Sequence, residues 1–269
     1  MLIKYWRLYR SFFKASFVAD LEFRANFFGR IVIDIFWYLA QIITFETLFR
    51  HTDRIGSWNL SQTRVFLGVL FVTDALYMIM FSDNLERMGE RVRKGELDLL
   101  LAKPVNSQFM VSLQRANTAI FGNLILGLAW LIWSLYSLQS QPTGPQDFSW
   151  MRLFWLFYLI PMGLISLYAI RFMIASAALI FTQSDNLHFL WYQVYKLGMR
   201  PDSLYSPWLR AIIMTALPVA LIASVPASAI LEEPRLLVFA WAGVLAAFFL
   251  WLSARFWRFC LKRYSSASS

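Results

Sequence analysis

The stretch LLVFAWAGVLAAFFLWLSARFW, residues 236–257, decides the fold. Arg255 is its one charge, and apolar residues occupy every face that a helical projection would offer. A helix needs about 20 predominantly apolar residues to cross the hydrocarbon core of a bilayer. One that is apolar all round must be buried in protein or lipid. Runs of this kind recur along the chain, and their limits predict spans at 29–49, 65–82, 116–138, 150–181, 209–231 and 236–257. Composition agrees: of 269 residues, 59% are hydrophobic, 18% aromatic and only 15% charged, against about 25% charged in soluble domains. The two-residue alternation of a β-barrel is missing. The expected fold class is therefore all-α integral membrane, with six transmembrane helices forming a single transmembrane domain over 1–269.

The segments between the runs refine this reading. In residues 1–24, Lys4, Arg7, Arg10 and Lys14 recur at helical spacing, with Tyr5, Tyr9, Phe12, Phe13 and Phe17 largely opposite them. That pattern predicts an amphipathic interfacial helix lying on the membrane plane, its basic face toward anionic lipid headgroups. Met1–Arg10 has no clean apolar core or small-residue cleavage site, so a cleaved signal is not expected. A short helix over Ser107–Arg115 precedes the third span. Gln139–Ser149, with Pro142, Gly144 and Pro145, reads as a loop. The fourth run is too long for a straight crossing and is expected to tilt, kink at Pro161 or project. Thr182–Trp208 reads as a polar connection, containing Asn186, His188 and Gln193. The fifth span is broken at Pro218 and again at Pro226, with Val225–Glu233 dipping back as a re-entrant piece covered by protein.

Orientation follows the Lys/Arg bias of the connections. Placing the N-terminus inside gathers 19 of the 25 basic residues there, counting those in Asp83–Arg115, in Thr182–Arg210 and from Arg255 onward. Arg50, Arg54, Arg64, Arg152 and Arg235 fall outside, so both termini are expected to be cytoplasmic. This distribution explains the net charge of +9 without nucleic-acid binding. Cys260 is alone and His51 and His188 are far apart, so neither a disulfide, a metal site nor a catalytic residue is expected.

The segment ERMGERVRKGELDLLLAKPVN, residues 86–106, concentrates charge and then a leucine run on the inner side. Asp83 with Arg87 and Glu90 with Lys94 are i,i+4 pairs with the acid first, which favours a helix. Gly95 supplies a stop and Pro104 an end. A short helix joined through glycine to a membrane span suits the transmission of force from a soluble partner. Within the spans, Asp34, Asp74 and Arg171 are the costly residues, about 2.5 to 3.5 kcal/mol each at the bilayer centre on insertion scales. They are expected to form an intramembrane ion pair or to line a substrate path. Glu46 is close enough to a span end to reach the interface. Trp37, Trp130, Trp133, Trp155 and Trp251 fit interfacial anchoring.

The segment RKGELDLLLAKPVN is similar to the stretch after the second span in permeases of the ATP-binding cassette type-2 exporter family, where a basic-Gly-x-Leu-Asp-x-Leu-Leu-x-x-Pro pattern recurs. SLYSPWLRAIIMTALPVALIASVPASAILEE, residues 203–233, resembles that family's loop, fifth span and paired-proline region, departing at Glu232 and Glu233 where small residues are usual. The resemblance implies a permease subunit paired with a second permease and with P-loop ATPase subunits that hold Mg-ATP. Consistent with that, no G-x-x-x-x-G-K-[ST] phosphate loop occurs in this chain, and no cofactor is expected on it. By position, the resemblance assigns coupling to Glu86, Arg87, Arg91, Gly95, Asp98, Leu99 and Pro104, with the three charged residues at 86, 87 and 91 meeting the ATPase and Leu99 seated in its groove. The implied task is export of a hydrophobic or amphipathic compound by alternating access across a bacterial cytoplasmic membrane. Two other readings are a secondary transporter driven by an ion gradient, which predicts inverted repeats, and a lipid-modifying membrane enzyme, which predicts clustered His, Asp or Ser.

Overall fold

The computed structural model describes residues 2–22, 24–140, 150–181, 185–231 and 236–264. Among these residues the secondary structure is helical, apart from an isolated antiparallel bridge between Ile55 and Trp58. Five helices are long and apolar enough to cross a membrane. The loop prolines Pro142 and Pro145, Glu232, Glu233 and the serine-rich tail lie outside the described residues.

Helix α1 (Leu2–Glu22) carries Lys4, Arg7, Arg10 and Lys14 on an exposed face, while Leu8 and Phe12 pack against the core. It is fastened side-on. Ser16 Oγ accepts the Ala116 N–H at 3.1 Å, and Asp20 accepts both the N–H and the hydroxyl of Thr118 at 3.0 and 2.6 Å. Helix α2 (Arg24–Phe49) touches the bundle with a narrow stripe, since only 11% of its apolar window is buried. Phe28, Val32, Ile33, Phe36, Leu39 and Ile43 face outward, as side chains against lipid must.

The hub is α3 (Leu60–Tyr77), which is buried along most of its length and continues as helix to Arg93. Its start, five residues earlier than the apolar run implies, is set by a capping box. Asn59 Oδ1 accepts the Gln62 N–H at 3.0 Å and Gln62 Oε1 accepts the Asn59 N–H at 2.9 Å, satisfying two of the free donors of a helix start. Asn59→Ala is expected to lower stability by about 1 kcal/mol, read as a lower midpoint of thermal unfolding in detergent. An unchanged midpoint would show that the cap contributes nothing. Arg64, in the first turns, grips Glu46 of α2 through two bonds of 2.6 and 2.8 Å, so Glu46 is held by protein.

After Tyr77 the helix widens into one π turn, Met78–Ser82, then continues as α4 (Asp83–Glu86) and α5 (Met88–Arg93). The second run therefore does not stop at the charged segment but carries helical structure into it. Beyond Gly95 come α6 (Glu96–Leu101) and α7 (Ser107–Leu113). A 3-10 turn over Thr118–Ile120 leads into α8 (Phe121–Gln139), the third long span. Glycines let α8 approach α3 closely: a Cβ on Gly127 would stand 3.1 Å from Phe71 Cβ, and one on Gly68 2.7 Å from Leu131 Cα. Small residues at crossings are how helices pack without a hydrophobic drive between them.

Helix α9 (Trp150–Ala177) passes through Pro161 as one element and packs along α13 (Leu236–Leu261), where Trp155 stacks on Phe239 at 3.7 Å between centroids. The largest departure from expectation lies between them. Within Thr182–Trp208, expected as a polar connection on the Gly95 side, the described part forms helix α10 (Asp185–Gly198). It inserts into the bundle, burying Trp191 and Tyr195. The chain then reaches the opposite end, where Ser203 Oγ accepts the Ser57 N–H at 3.3 Å. The segment expected as the fifth span is three short pieces: α11 (Pro207–Met214), a 3-10 turn over Val219–Ile222, and α12 (Ser224–Leu231). It starts beside Ser57 and finishes where Arg152 donates to the Ile230 carbonyl at 2.6 Å. Both contacts belong to the end away from Gly95, so this segment enters and leaves on one side.

Candidate functional site

Three features expected to carry function can be followed from residue to geometry. The first is the turn at Gly95. Glu90 and Lys94 form the expected pair, at 2.6 Å and exposed. Gly95 then takes φ +71°, a left-handed conformation that glycine adopts without a Cβ penalty. Helix α6 buries Leu97 and Leu100, three apart, and turns Leu99 outward with 71% of its surface exposed. Arg87, Arg93, Lys94 and Glu96 of the same segment are exposed as well, and Pro104 is exposed at the end of the element.

Other members of the expected coupling set face inward. Asp83 does not take Arg87; it stands 3.7 Å from Arg115 and accepts from Asn117 at 3.2 Å. Arg91 reaches back to the Val111 carbonyl at 3.4 Å and to Asn84 at 3.5 Å, tying α5 to α7. Asp98 lies beside Tyr264 at the end of the chain's last helix. Glu86 meets Arg171 at 3.1 Å, although 57% of its side chain remains exposed. The geometry thus divides the set into an outward group around Leu99 and an inward group that fixes the turn to the bundle.

The second feature is a cavity of about 550 Å³ inside the bundle. Asp34, Asp74 and Arg171, expected to pair or to line a path, all border it. Their partners differ from the expected carboxylate–arginine contact. Asp74, 9% exposed, accepts the Tyr195 hydroxyl at 2.6 Å. Arg171 donates through Nε to the Tyr77 hydroxyl at 3.0 Å and through Nη2 to Glu86. Tyr38 stacks on Phe71 at 4.2 Å and donates to the Phe71 carbonyl. Asn123 completes the polar wall. It is 1% exposed, and it lies beside Asp34 without completing a hydrogen bond through either amide atom. Trp37, Trp191 and Tyr192 supply the apolar wall.

Sequence reasoning did not single out Tyr38, Tyr77, Asn123 or Tyr195. For Tyr195 a signal existed: Leu187, Trp191, Val194, Tyr195 and Gly198 recur at helical spacing, amid polar residues that dilute mean hydropathy.

The third feature is the break near the opposite end. Pro218 opens the 3-10 turn, whereas Pro226 sits in the first turn of α12, where a missing N–H costs no helical bond. The chain is thus interrupted at 215–223 and not a second time at Pro226. Val219 to Ala223 are all within 1% of full burial, which is the cover that irregular backbone requires at membrane depth. A second cavity of about 740 Å³ lies beside this segment, bordered by Ser57 and by the Asp202–Arg210 pair, which closes at 2.6 Å.

The family described as ABC-2 family transporter protein has a model that matches residues 35–268. Among curated proteins and among solved structures, none matches the chain.

Proposed function

We propose that this chain, which belongs to the ABC-2 transporter family, is the permease subunit of an ATP-driven exporter. It is an integral membrane transport protein; its ATP hydrolysis, on this reading, takes place with Mg-ATP on separate P-loop ATPase subunits. A second permease subunit, identical or related, completes the pathway, and a hydrophobic or amphipathic compound leaves the cytoplasm or inner leaflet by alternating access.

The observation that carries the reading is Leu99: a leucine held outward by two buried neighbours, on a short helix tied to the hub helix through Gly95. An isolated exposed leucine needs no explanation. One held outward by two buried leucines, in a segment whose Arg87, Arg93 and Glu96 are exposed too, has the form of an interface anchor. The inward contacts of Glu86 and Arg91 support the same role, since they would pass a displacement of the turn to α9 and α7.

The basic residues support an inner location for the Gly95 end in a bacterial cytoplasmic membrane, with both termini cytoplasmic. Moving Arg200 and Arg210 to the opposite end, as the Ser57–Ser203 contact requires, and setting aside Lys196 and Arg171 between the ends, leaves sixteen basic residues against seven. Helix α1, with its exposed basic face, lies on that inner surface against anionic lipid.

The test is co-purification with a P-loop ATPase, whose reading frame is expected beside that of this chain. Leu99→Asp is expected to reduce the ATPase recovered by at least about tenfold, the effect of losing one anchor worth 1.4 kcal/mol or more, while the bundle keeps its thermal midpoint. Full recovery of ATPase with Leu99→Asp, or transport by the chain with no ATPase present, would sink the proposal.

A further inference from the structure

The cavity between α2, α3, α8, α9 and α10 has a composition that selects for charge. Among the described residues, Asp34, Asp74 and Glu86 border it against one cation, Arg171. Arg171 is committed to Glu86 and to the Tyr77 hydroxyl, which leaves two carboxyl groups facing the space. Arg30 acts on Asp34 and Glu86 from nearby but does not border the cavity. A carboxyl placed in a span is costly unless something offsets it; the Tyr195 and Tyr38 hydroxyls do so for Asp74, and neither brings a positive charge.

Asn123 is the second and independent sign of a ligand. A buried amide normally has its hydrogen bonds filled, and leaving one unfilled costs on the order of 1 to 3 kcal/mol. Asn123 is 1% exposed on the cavity wall; its NH₂ is turned to Asp34 without closing a full hydrogen bond, and its carbonyl has no partner. It therefore offers an acceptor to whatever enters. Trp37 and Trp191 also line the space, and the faces of such rings attract cations, as the Lys196 ammonium 4.5 Å from the centre of the neighbouring Tyr192 ring illustrates. A volume of about 550 Å³ falls in the range of small-molecule sites, about 300 to 1,000 Å³.

We propose that this cavity binds an amphipathic organic amine in its protonated form, the ammonium held by Asp34 and Asp74 and by the Asn123 carbonyl, and the apolar body lying against Trp37 and Trp191. As a statement about what is exported, this rests on the permease reading. As a statement about binding it does not, because it concerns the chain alone at equilibrium.

The experiment uses the full chain in lipid nanodiscs, without ATPase or ATP, and three matched fluorescent probes. Dansylcadaverine carries a free ammonium, its N-acetyl derivative is neutral, and 6-(dansylamino)hexanoate is an anion of similar size. Empty nanodiscs of the same lipid supply the partition background. The amine is expected to bind at least about tenfold tighter than the acetylated probe, the increment of one charge-assisted contact, and the anion weakest of the three. Asp34→Asn and Asp74→Asn are each expected to remove most of that preference. The first residue is only half-buried, so its variant tests the idea even if the second fails to fold; Asn at 74 retains an acceptor for Tyr195. Asn123→Leu is expected to weaken the amine as well. Binding no better than empty nanodiscs, equal binding of the three probes, preference for the anion, or an amine preference that survives the Asp34 and Asp74 variants would each overturn the assignment. Failure here with ATPase still recovered on the chain would leave the permease reading standing, and the reverse result would do the opposite.

Discussion

Replacing Gly163 with valine is expected to abolish the folded protein. Gly163 lies midway along α9, where the 3-10 turn of the broken segment crosses it. A Cβ built there would collide with the Leu221 carbonyl oxygen and stand 3.0 Å from its carbon. The atoms it meets are backbone, and they belong to a stretch buried on every side, so no rotamer change relieves the contact. Overpacking of a core costs about 1 to 3 kcal/mol when side chains can move. Here the backbone of Leu221 or α9 itself must shift, and the cost enters the range above about 4 kcal/mol that marks a structural lesion. The measurement is the monodisperse fraction after detergent extraction, followed by size-exclusion chromatography. Gly29→Val is the control, because a Cβ at that site of α2 meets nothing within 4 Å. If Gly163→Val behaved like Gly29→Val, the close crossing of α9 by the broken segment would be wrong.

Tyr195→Phe is expected to cost about 2 kcal/mol, the size of a hydrogen bond to a buried carboxyl that keeps its own polarity after the donor is gone. Tyr195 and Asp74 are both within 9% of full burial and meet at 2.6 Å, so water does not readily replace the hydroxyl. The diagnostic outcome is a cycle. Asp74→Leu removes the acceptor and fills similar volume, and in that background Tyr195→Phe is expected to cost much less. Thermal unfolding in detergent reads all four proteins. A penalty for Tyr195→Phe that is the same with and without Asp74 would show that the bond does not anchor α10 to α3.

How far the sequence reached depended on which signal each element emits. The long apolar runs were legible because lipid imposes their length and leaves few polar residues among them; α2, α8, α9 and α13 lie close to where the runs place them. The glycine stop at residue 95 was legible because a backbone that needs φ +71° accepts few other residues. Helix α10 was not legible as membrane-embedded, since Asp185, Asn186, His188, Gln193 and Lys196 give it the polarity of a loop. Its buried face is a stripe of Trp191, Tyr195 and Gly198 that only periodicity reveals. Nor did the sequence choose a partner for Arg171. Asp34 and Asp74 looked suitable because they are also inside spans, but the guanidinium reaches past them to Tyr77 and to Glu86, to which the family resemblance had given a contact with the ATPase. Asn123 left no mark among the apolar residues of its span; its significance depends on having no partner, which only three dimensions disclose.

The π turn at Met78–Ser82 acts as a phase shifter. Successive residues of an α-helix are set about 100° apart around the axis, so positions 77 and 86, nine residues apart, would point in nearly opposite directions on an uninterrupted rod. A π turn takes up one residue without the corresponding rotation, which brings the effective angle down to about 80°. That is why one guanidinium can hold a phenol above the wide turn and a carboxylate below it. The clock faces of the two halves of the hub helix are therefore aligned by a single surplus residue, and any motion that carried the wide turn out of the interval between Tyr77 and Glu86 would rotate the two out of common reach of α9.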